Sequence, residues 1–282
     1  MLGPDDTVLC SGTLRTAGFR EKVEAAAAHG FRGLSLWIDD VEKAHAEGLD
    51  DADIRALLAD HGLVVAELDP LLSWLQRGPL EVAAPDATRL LGRSEAEFFA
   101  LADAVGGGAL NLAHPFDGEV AVDRAAEALA GVADRAREHG LVVLVEFLPW
   151  TDIADVTKAA AIVDAAGRAN AAVMLDTWHF SRGANDLDAL RALPGECIGG
   201  VQINGVPAEP RGAAPLDSMH NRLLPDEGAS DIAAIVRALD AIGSRAPIGV
   251  EVFSKALDVL APDEAAGRCA AATRRVLEAA RA

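Results

Sequence analysis

The sequence predicts an α/β fold: a single (β/α)8 TIM barrel over residues 1–282, with eight parallel strands inside a ring of helices. Three observations carry that expectation. Strand-like and helix-like segments alternate eight times, the pattern of parallel βαβ units. The strand-like runs are short, branched and apolar throughout, as strands buried on both faces should be. The chain has 282 residues, close to the roughly 250 of one such barrel, and no linker divides it. An open doubly wound sheet would share the alternation. However, no Gly-x-Gly-x-x-Gly follows the first strand and no Walker-type loop occurs. Gly106-Gly107-Gly108 precedes a strand, where it stops a helix.

The elements follow in order. Strand one covers 8–11. Apolar residues then recur at three- and four-residue spacing over 20–28, a helix ending at His29-Gly30. Strand two spans 33–38. A helix over 53–59 closes at His61-Gly62 and leads to strand three, 63–68. Helix 96–104 precedes strand four, 109–113. Helix 124–138 closes at His139-Gly140 before strand five, 141–147. Helix 156–165 leads to strand six, 171–175, and strand seven covers 198–203. Residues 207–215 form a loop over the active face, followed by helix 232–242 and strand eight, 248–253. The three His-Gly pairs are a weak internal repeat. Glycine supplies the left-handed residue after a helix, and histidine there is favoured by the helix dipole, so these histidines are caps.

The formal net charge of -19 repels phosphate backbones and anionic membranes, which speaks against nucleic-acid and membrane partners. A small anionic substrate held by one local arginine is compatible with it. The start, Met-Leu-Gly-Pro-Asp-Asp, has neither the basic nor the apolar region of a signal peptide. No apolar run approaches the ~18 residues of a membrane helix. Cys10, Cys197 and Cys269 lack paired spacing, which points to a reducing cytoplasm and buried thiols.

Strands five to eight end in Glu146, Asp176, Gln202 and Glu251. Burying a carboxylate at such a strand end is costly unless it is paired or binds a metal. Adjacent strands lie roughly 4.8 Å apart, so four inward side chains would surround one ion at one mouth. Three carboxylates and an amide oxygen suit Mn2+ or Mg2+ best, with Co2+ or Zn2+ after them. A single acid here would as readily cap a helix or pair with arginine; four at equivalent ends make that account poor. His179, three residues past Asp176, is placed to bind the metal, orient a ligand or donate to a substrate oxygen. Arg222, in Asn-Arg-Leu-Leu-Pro-Asp-Glu-Gly, is placed to hold a carboxylate or oxyanion over the mouth. A surface arginine neutralising nearby acids fits the same spacing. His114 after strand four is a candidate substrate contact. Trp37 and Trp150 are candidates for an apolar pocket wall, although packing is a tryptophan's commoner fate.

At these residues, in the segments VEFLP, MLDTWHFSRG, GVQING, NRLLPDEG and GVEVFS, the chain resembles the xylose-isomerase-like TIM-barrel superfamily. That group holds tagatose epimerases, inosose isomerases and dehydratases, 3-dehydroshikimate dehydratases and, more distantly, endonuclease IV. The resemblance implies that Glu146, Asp176 and Glu251 ligate a metal, that His179 and Arg222 bind substrate oxygens, and that the glutamates also move protons. Two departures stand out. Gln202 replaces the usual seventh-strand histidine, as in the dehydroshikimate dehydratases, and Asp226 replaces the first glycine of a Pro-Gly-x-Gly loop. The expected activity is a divalent-metal-dependent isomerase or epimerase acting on a small polyhydroxylated keto or aldo substrate (sugar, sugar phosphate or inosose). The cation would chelate a carbonyl oxygen and the adjacent hydroxyl, with Glu146 and Glu251 as acid and base about an enediolate. A dehydratase would share that first step. An abasic-site endonuclease, which needs extra histidines and a basic surface, and a non-catalytic barrel are weaker readings. Barrels of this kind often form homodimers.

Overall fold

In the computed structural model, which describes residues 2–75, 91–116 and 118–282, eight parallel strands close in sequential order into one barrel. They are β1 (Thr7–Leu9), β2 (Gly33–Leu36), β3 (Val64–Leu71), β4 (Ala109–Ala113), β5 (Val142–Glu146), β6 (Ala171–Asp176), β7 (Ile198–Ile203) and β8 (Ile248–Val250). Among the described residues, helices α1 (Phe19–Ala28), α2 (Ile38–Ala46), α3 (Asp51–Asp60), α4 (Glu95–Val105), α5 (Val122–Ala136) and α6 (Val156–Ala166) cover its outside. They continue with α7 (Thr177–Arg182), α8 (Leu187–Arg191), α9 (Ala214–His220), α10 (Ile232–Ala241) and α11 (Pro262–Arg281). Among the described residues, no helix is long and apolar enough to cross a membrane.

The sequence-based bounds hold for β4 and β7 and shift elsewhere for local reasons. β2 stops at Leu36 because Trp37 begins α2, where the Asp40 carboxylate accepts the Trp37 N–H at 2.9 Å. β8 stops at Val250 because the Phe253 carbonyl accepts from the Arg222 N–H at 3.0 Å, drawing the chain off the ladder. The loop expected over 207–215 is present over 207–213, and α9 then begins at Ala214 with Pro215 in its first turn. β3 runs past Leu68 to Leu71, with consequences below. Two of the three expected capping histidines, His29 and His61, are C-caps, with Gly30 and Gly62 at φ +84° and +66°; His139 instead ends a short turn whose C-cap is Gly140, at φ +73°.

Strand parity places the site. Ala109, Leu144, Ala172 and Met174 form a separate buried apolar cluster inside the barrel. Gly200 leaves room for them: a Cβ there would lie 2.6 Å from the Met174 methyl and 2.7 Å from Leu144 Cδ1. Two residues further along these strands, the same inward parity brings Asn111, Glu146, Asp176 and Gln202. An apolar plug thus underlies a polar layer at the C-terminal mouth.

One buried ion pair ties α1 to α2. Lys22 Nζ donates to Asp40 Oδ1 at 2.5 Å and to Ser11 Oγ at 2.6 Å, with both charged side chains 2% exposed. Burial lowers the Lys22 pKa and Asp40 opposes that shift. Asp40→Ala is expected to destabilise the protein by about 3–5 kcal/mol, because it strands a buried ammonium. Lys22→Met should cost less, since Asp40 keeps the Ser11 hydroxyl and the Trp37 N–H. Urea unfolding of the two variants checks both the size and the order.

A carboxylate-lined mouth as the candidate metal centre

The register sets the four strand-end residues at neighbouring levels: Asp176 pairs with Gln202, and Gln202 with Gly249, two residues before Glu251. All four are buried, Glu146 at 7% exposure and Asp176 at 0%. Asp176 is also the N-cap of α7. Its Oδ1 accepts the His179 N–H at 2.9 Å, so the Asp-x-x-His spacing is that of a capped first helical turn. This folds the imidazole back over the mouth. His179 Nε2 lies 3.2 Å from Glu146 Oε1, and one ligand atom each from Glu146, Asp176 and His179 fall within 4.8 Å of one another.

Arg222 lies inside the site, 2% exposed. Nη1 donates to Asp176 Oδ2 at 2.6 Å and Glu251 Oε2 at 3.0 Å, while Nε and Nη2 donate to the Ser218 carbonyl and hydroxyl at 2.9 and 3.0 Å. Its guanidinium lies 4.8 Å over the Phe253 ring. Sequence spacing leaves this arginine either holding a substrate anion over the mouth or neutralising nearby acids; in the structure it is buried beside two carboxylates as their counter-charge. The loop that delivers it tolerates Asp226, because the left-handed backbone falls at Gly228 (φ +92°). Asp226 instead accepts from Arg275 Nε at 2.5 Å.

The walls are aromatic. Trp150 is edge-on to His179 at 5.3 Å and to Trp178 at 6.1 Å between ring centroids. Trp37 stacks on Phe253 at 6.1 Å. His114, 4% exposed, meets Trp74 edge-on at 6.5 Å. His179 and Trp150 therefore share one side with Glu146, and Trp37 shares the other with Phe253 and Arg222.

Several residues of the mouth lie outside the sequence-derived set. Because β3 is long, it carries two more buried acids, Glu67 and Asp69. Glu67 Oε1 accepts from Gln202 Nε2 at 3.0 Å and from the Cys10 thiol at 3.6 Å. Asn111 Nδ2 bridges Asp69 Oδ1 at 3.0 Å and Glu146 Oε2 at 2.8 Å. Asn204 Nδ2 donates to Asp176 Oδ2 at 3.0 Å. The signal was present in Val-Val-Ala-Glu-Leu-Asp: the acids alternate with apolar residues at the end of a strand.

Burial pushes the Glu67 carboxyl up to about 7, against the bonds from Gln202 and Cys10. Burial also raises Glu251 well above the usual carboxylate range, with Arg222 pulling the other way, and raises Asp69 with help from Glu67 and Glu146. The folded, metal-free protein therefore binds more protons than the unfolded chain above pH ~4, where free carboxyls ionise. Stability is greatest below the unfolded values and is lost as pH rises, for Glu67 through about 7. The lowered carboxyls, such as Glu97, act only at more acidic pH. With chelator present, the urea midpoint is expected to be lower at pH 7.5 than at pH 5.5; an equal or higher midpoint would contradict these buried acids.

The donor set fits a divalent cation. Besides the Glu146–Asp176–His179 cluster, the Gln202 Oε1 atom is buried without a protein partner, a neutral oxygen beside carboxylates. Fold and site together define a (β/α)8 barrel with a metal-binding type of acidic cluster at its C-terminal mouth, the usual position of function in such barrels. The chain belongs to the xylose isomerase-like TIM barrel family, whose model matches residues 23–276. It is 32% identical over 254 residues to a 3-dehydroshikimate dehydratase of Pseudomonas aeruginosa, a match covering 88% of this chain but 37% of that protein. The chain thus spans little more than a third of that relative's length. An inosose isomerase of Bacillus velezensis is 29% identical over 130 residues, 45% of each chain. The crystal structure of an IolI protein with a bound zinc atom shares the fold, with a TM-score of 0.84 at 17% identity, covering 97% of this chain and 98% of that one.

Proposed function

We propose that this protein is a divalent-metal-dependent isomerase or epimerase of a small polyhydroxylated keto or aldo substrate, namely a sugar, sugar phosphate or inosose. The observation that carries the reading is the buried convergence of Glu146 and Asp176 with His179, ligand atoms within 4.8 Å of one another, in a mouth that also holds Gln202 and Glu251; in this reading the carboxylates of that cluster face the ion and the imidazole faces the substrate. Glu146, Asp176, Gln202 and Glu251 would hold the ion, Mn2+ or Mg2+ by their oxygen chemistry, with Co2+ or Zn2+ less well matched. When bound, such an ion supplies Lewis-acid stabilisation of negative charge developing on a substrate oxygen.

The chain's own residues handle the proton. Glu251, whose carboxyl burial raises well above the usual carboxylate range while Arg222 pulls the other way, would take a proton from the carbon next to a carbonyl. Glu146 lies three strands round the barrel, oriented by Asn111 and His179. In this reading it returns the proton on the other side of the enediolate. His179 Nε2 donates to a substrate oxygen, and Arg222 holds Glu251 in position while meeting a second oxygen. His114, Trp37 and Trp150 bound the pocket and exclude water. The substrate is the only partner this reading needs; neither nucleic acid nor membrane enters it.

A second reading is a dehydratase, in which the same intermediate loses a β-hydroxyl. Two observations favour it: Gln202 at the seventh-strand position, and the match to the 3-dehydroshikimate dehydratase along 88% of this chain. Incubation with candidate ketoses, inososes and dehydroshikimate in deuterated buffer, with and without Mn2+, tests both. Metal-dependent label uptake without loss of water supports the isomerase, and an enone absorbance supports the lyase. Absence of exchange with every substrate would count against both.

A further inference from the structure

We infer that Glu67 is a positioning residue, which locks the Gln202 side-chain amide so that its oxygen, and not its NH2 group, is presented to the cation. This rests on the reading that Gln202 contributes to the metal site. The two ends of a glutamine amide have nearly the same shape, and packing alone does not choose between them. Only the oxygen is a ligand; the NH2 end would set two donor hydrogens against a cation.

The structure supplies the missing discrimination from across the barrel. Gln202 Nε2 donates to Glu67 Oε1 at 3.0 Å, a contact between residues 135 positions apart. The same Glu67 oxygen lies 3.6 Å from the Cys10 thiol, a second donor directed at it, so this atom serves as an acceptor. Flipping the Gln202 amide would put oxygen against that acceptor and lose the bond in a fully buried setting, where unpaired polar groups are costly. The remaining branch of the amide, Oε1, is buried and has no protein partner. Gly249 confines the group further: a Cβ there would lie 3.0 Å from Cys10 Sγ and 3.4 Å from Gln202 Cγ. Gln202 is 1% exposed and Glu67 7%, so solvent offers little competition for either end. Outer partners that orient a ligand in this way typically change metal affinity by about 10–100-fold when removed.

The test is Mn2+ affinity, read from the electron paramagnetic resonance signal of free Mn2+, for the wild type, Glu67→Gln, Glu67→Met, Gln202→Leu and the Glu67→Met/Gln202→Leu double variant. Glu67→Ala stands in for Glu67→Met if the longer apolar chain prevents folding, which thermal melting reports. Glu67→Met is expected to weaken binding by about 10–100-fold. Glu67→Gln, which can still accept from Gln202, should restore most of it. The double variant should bind no more weakly than Gln202→Leu alone, because Glu67 acts through that amide. The inference is overturned if Glu67→Met binds like the wild type while Gln202→Leu is weakened, or if the two effects add. A wild type that takes up no Mn2+ would instead remove the cation site itself.

Discussion

Glu251→Gln is expected to leave the barrel folded and to reduce turnover by about 10²–10⁴-fold, the usual contribution of a positioned acid or base. The substitution keeps the shape of the side chain, and an amide oxygen can still accept from Arg222 Nη1, which lies 3.0 Å from Glu251 Oε2. It also removes a buried charge whose ionisation is disfavoured by its setting. The fold therefore has no reason to suffer. What disappears, on the proposed mechanism, is the group that takes the proton. Steady-state kinetics on whichever substrate shows metal-dependent exchange, with circular dichroism as the control, measures the effect. Turnover within a few-fold of wild type would place the proton transfer elsewhere.

Arg222→Met should cost as much stability as Asp40→Ala. Removing the guanidinium leaves Asp176 and Glu251, 0% and 3% exposed, as buried acids without their counter-charge. Breaking such a pair from one side costs about 3–5 kcal/mol. The Ser218 carbonyl and hydroxyl lose their partner as well. Urea unfolding in the presence of chelator should show that loss, and saturating Mn2+ should recover part of it by supplying positive charge at the same carboxylates. Arg222→Lys should fall between the two, because a single ammonium cannot reproduce the forked contacts to Asp176, Glu251 and Ser218. A loss below about 1 kcal/mol, the scale of an exposed pair, would mean that Arg222 is not their counter-charge.

The barrel and one side of its mouth are legible in the sequence because both depend on local pattern. Glu146, Asp176, Gln202 and Glu251 each follow an apolar run, and parallel packing brings such ends to one rim. His179 is legible for a similar reason, being bound to the acid that caps its own helix. Glu67 and Asp69 obey the same rule, but were hidden by an expected strand end at Leu68, whereas β3 continues to Leu71. Asn111 sits mid-strand in Ala-Leu-Asn-Leu-Ala; its inward parity is readable, though its bridge between Asp69 and Glu146 is not. Arg222 shows where pattern stops being informative. Its partners lie 46 and 29 positions away, and whether it faces a substrate or two carboxylates is decided by the closed barrel. The start of α2 directly out of β2 was hidden differently: the apolar Trp37-Ile38 continues the strand pattern, while Asp40 caps the backbone into a helix.

The most direct measurement is an anomalous difference map from crystals grown with Mn2+. One strong peak should lie about 2.0–2.6 Å from oxygens of Glu146, Asp176, Gln202 and Glu251, the range of hard-cation bonds to oxygen. A map with no peak in the mouth at saturating Mn2+, or an ion bound by other side chains, would contradict a shared cation at these four strand ends.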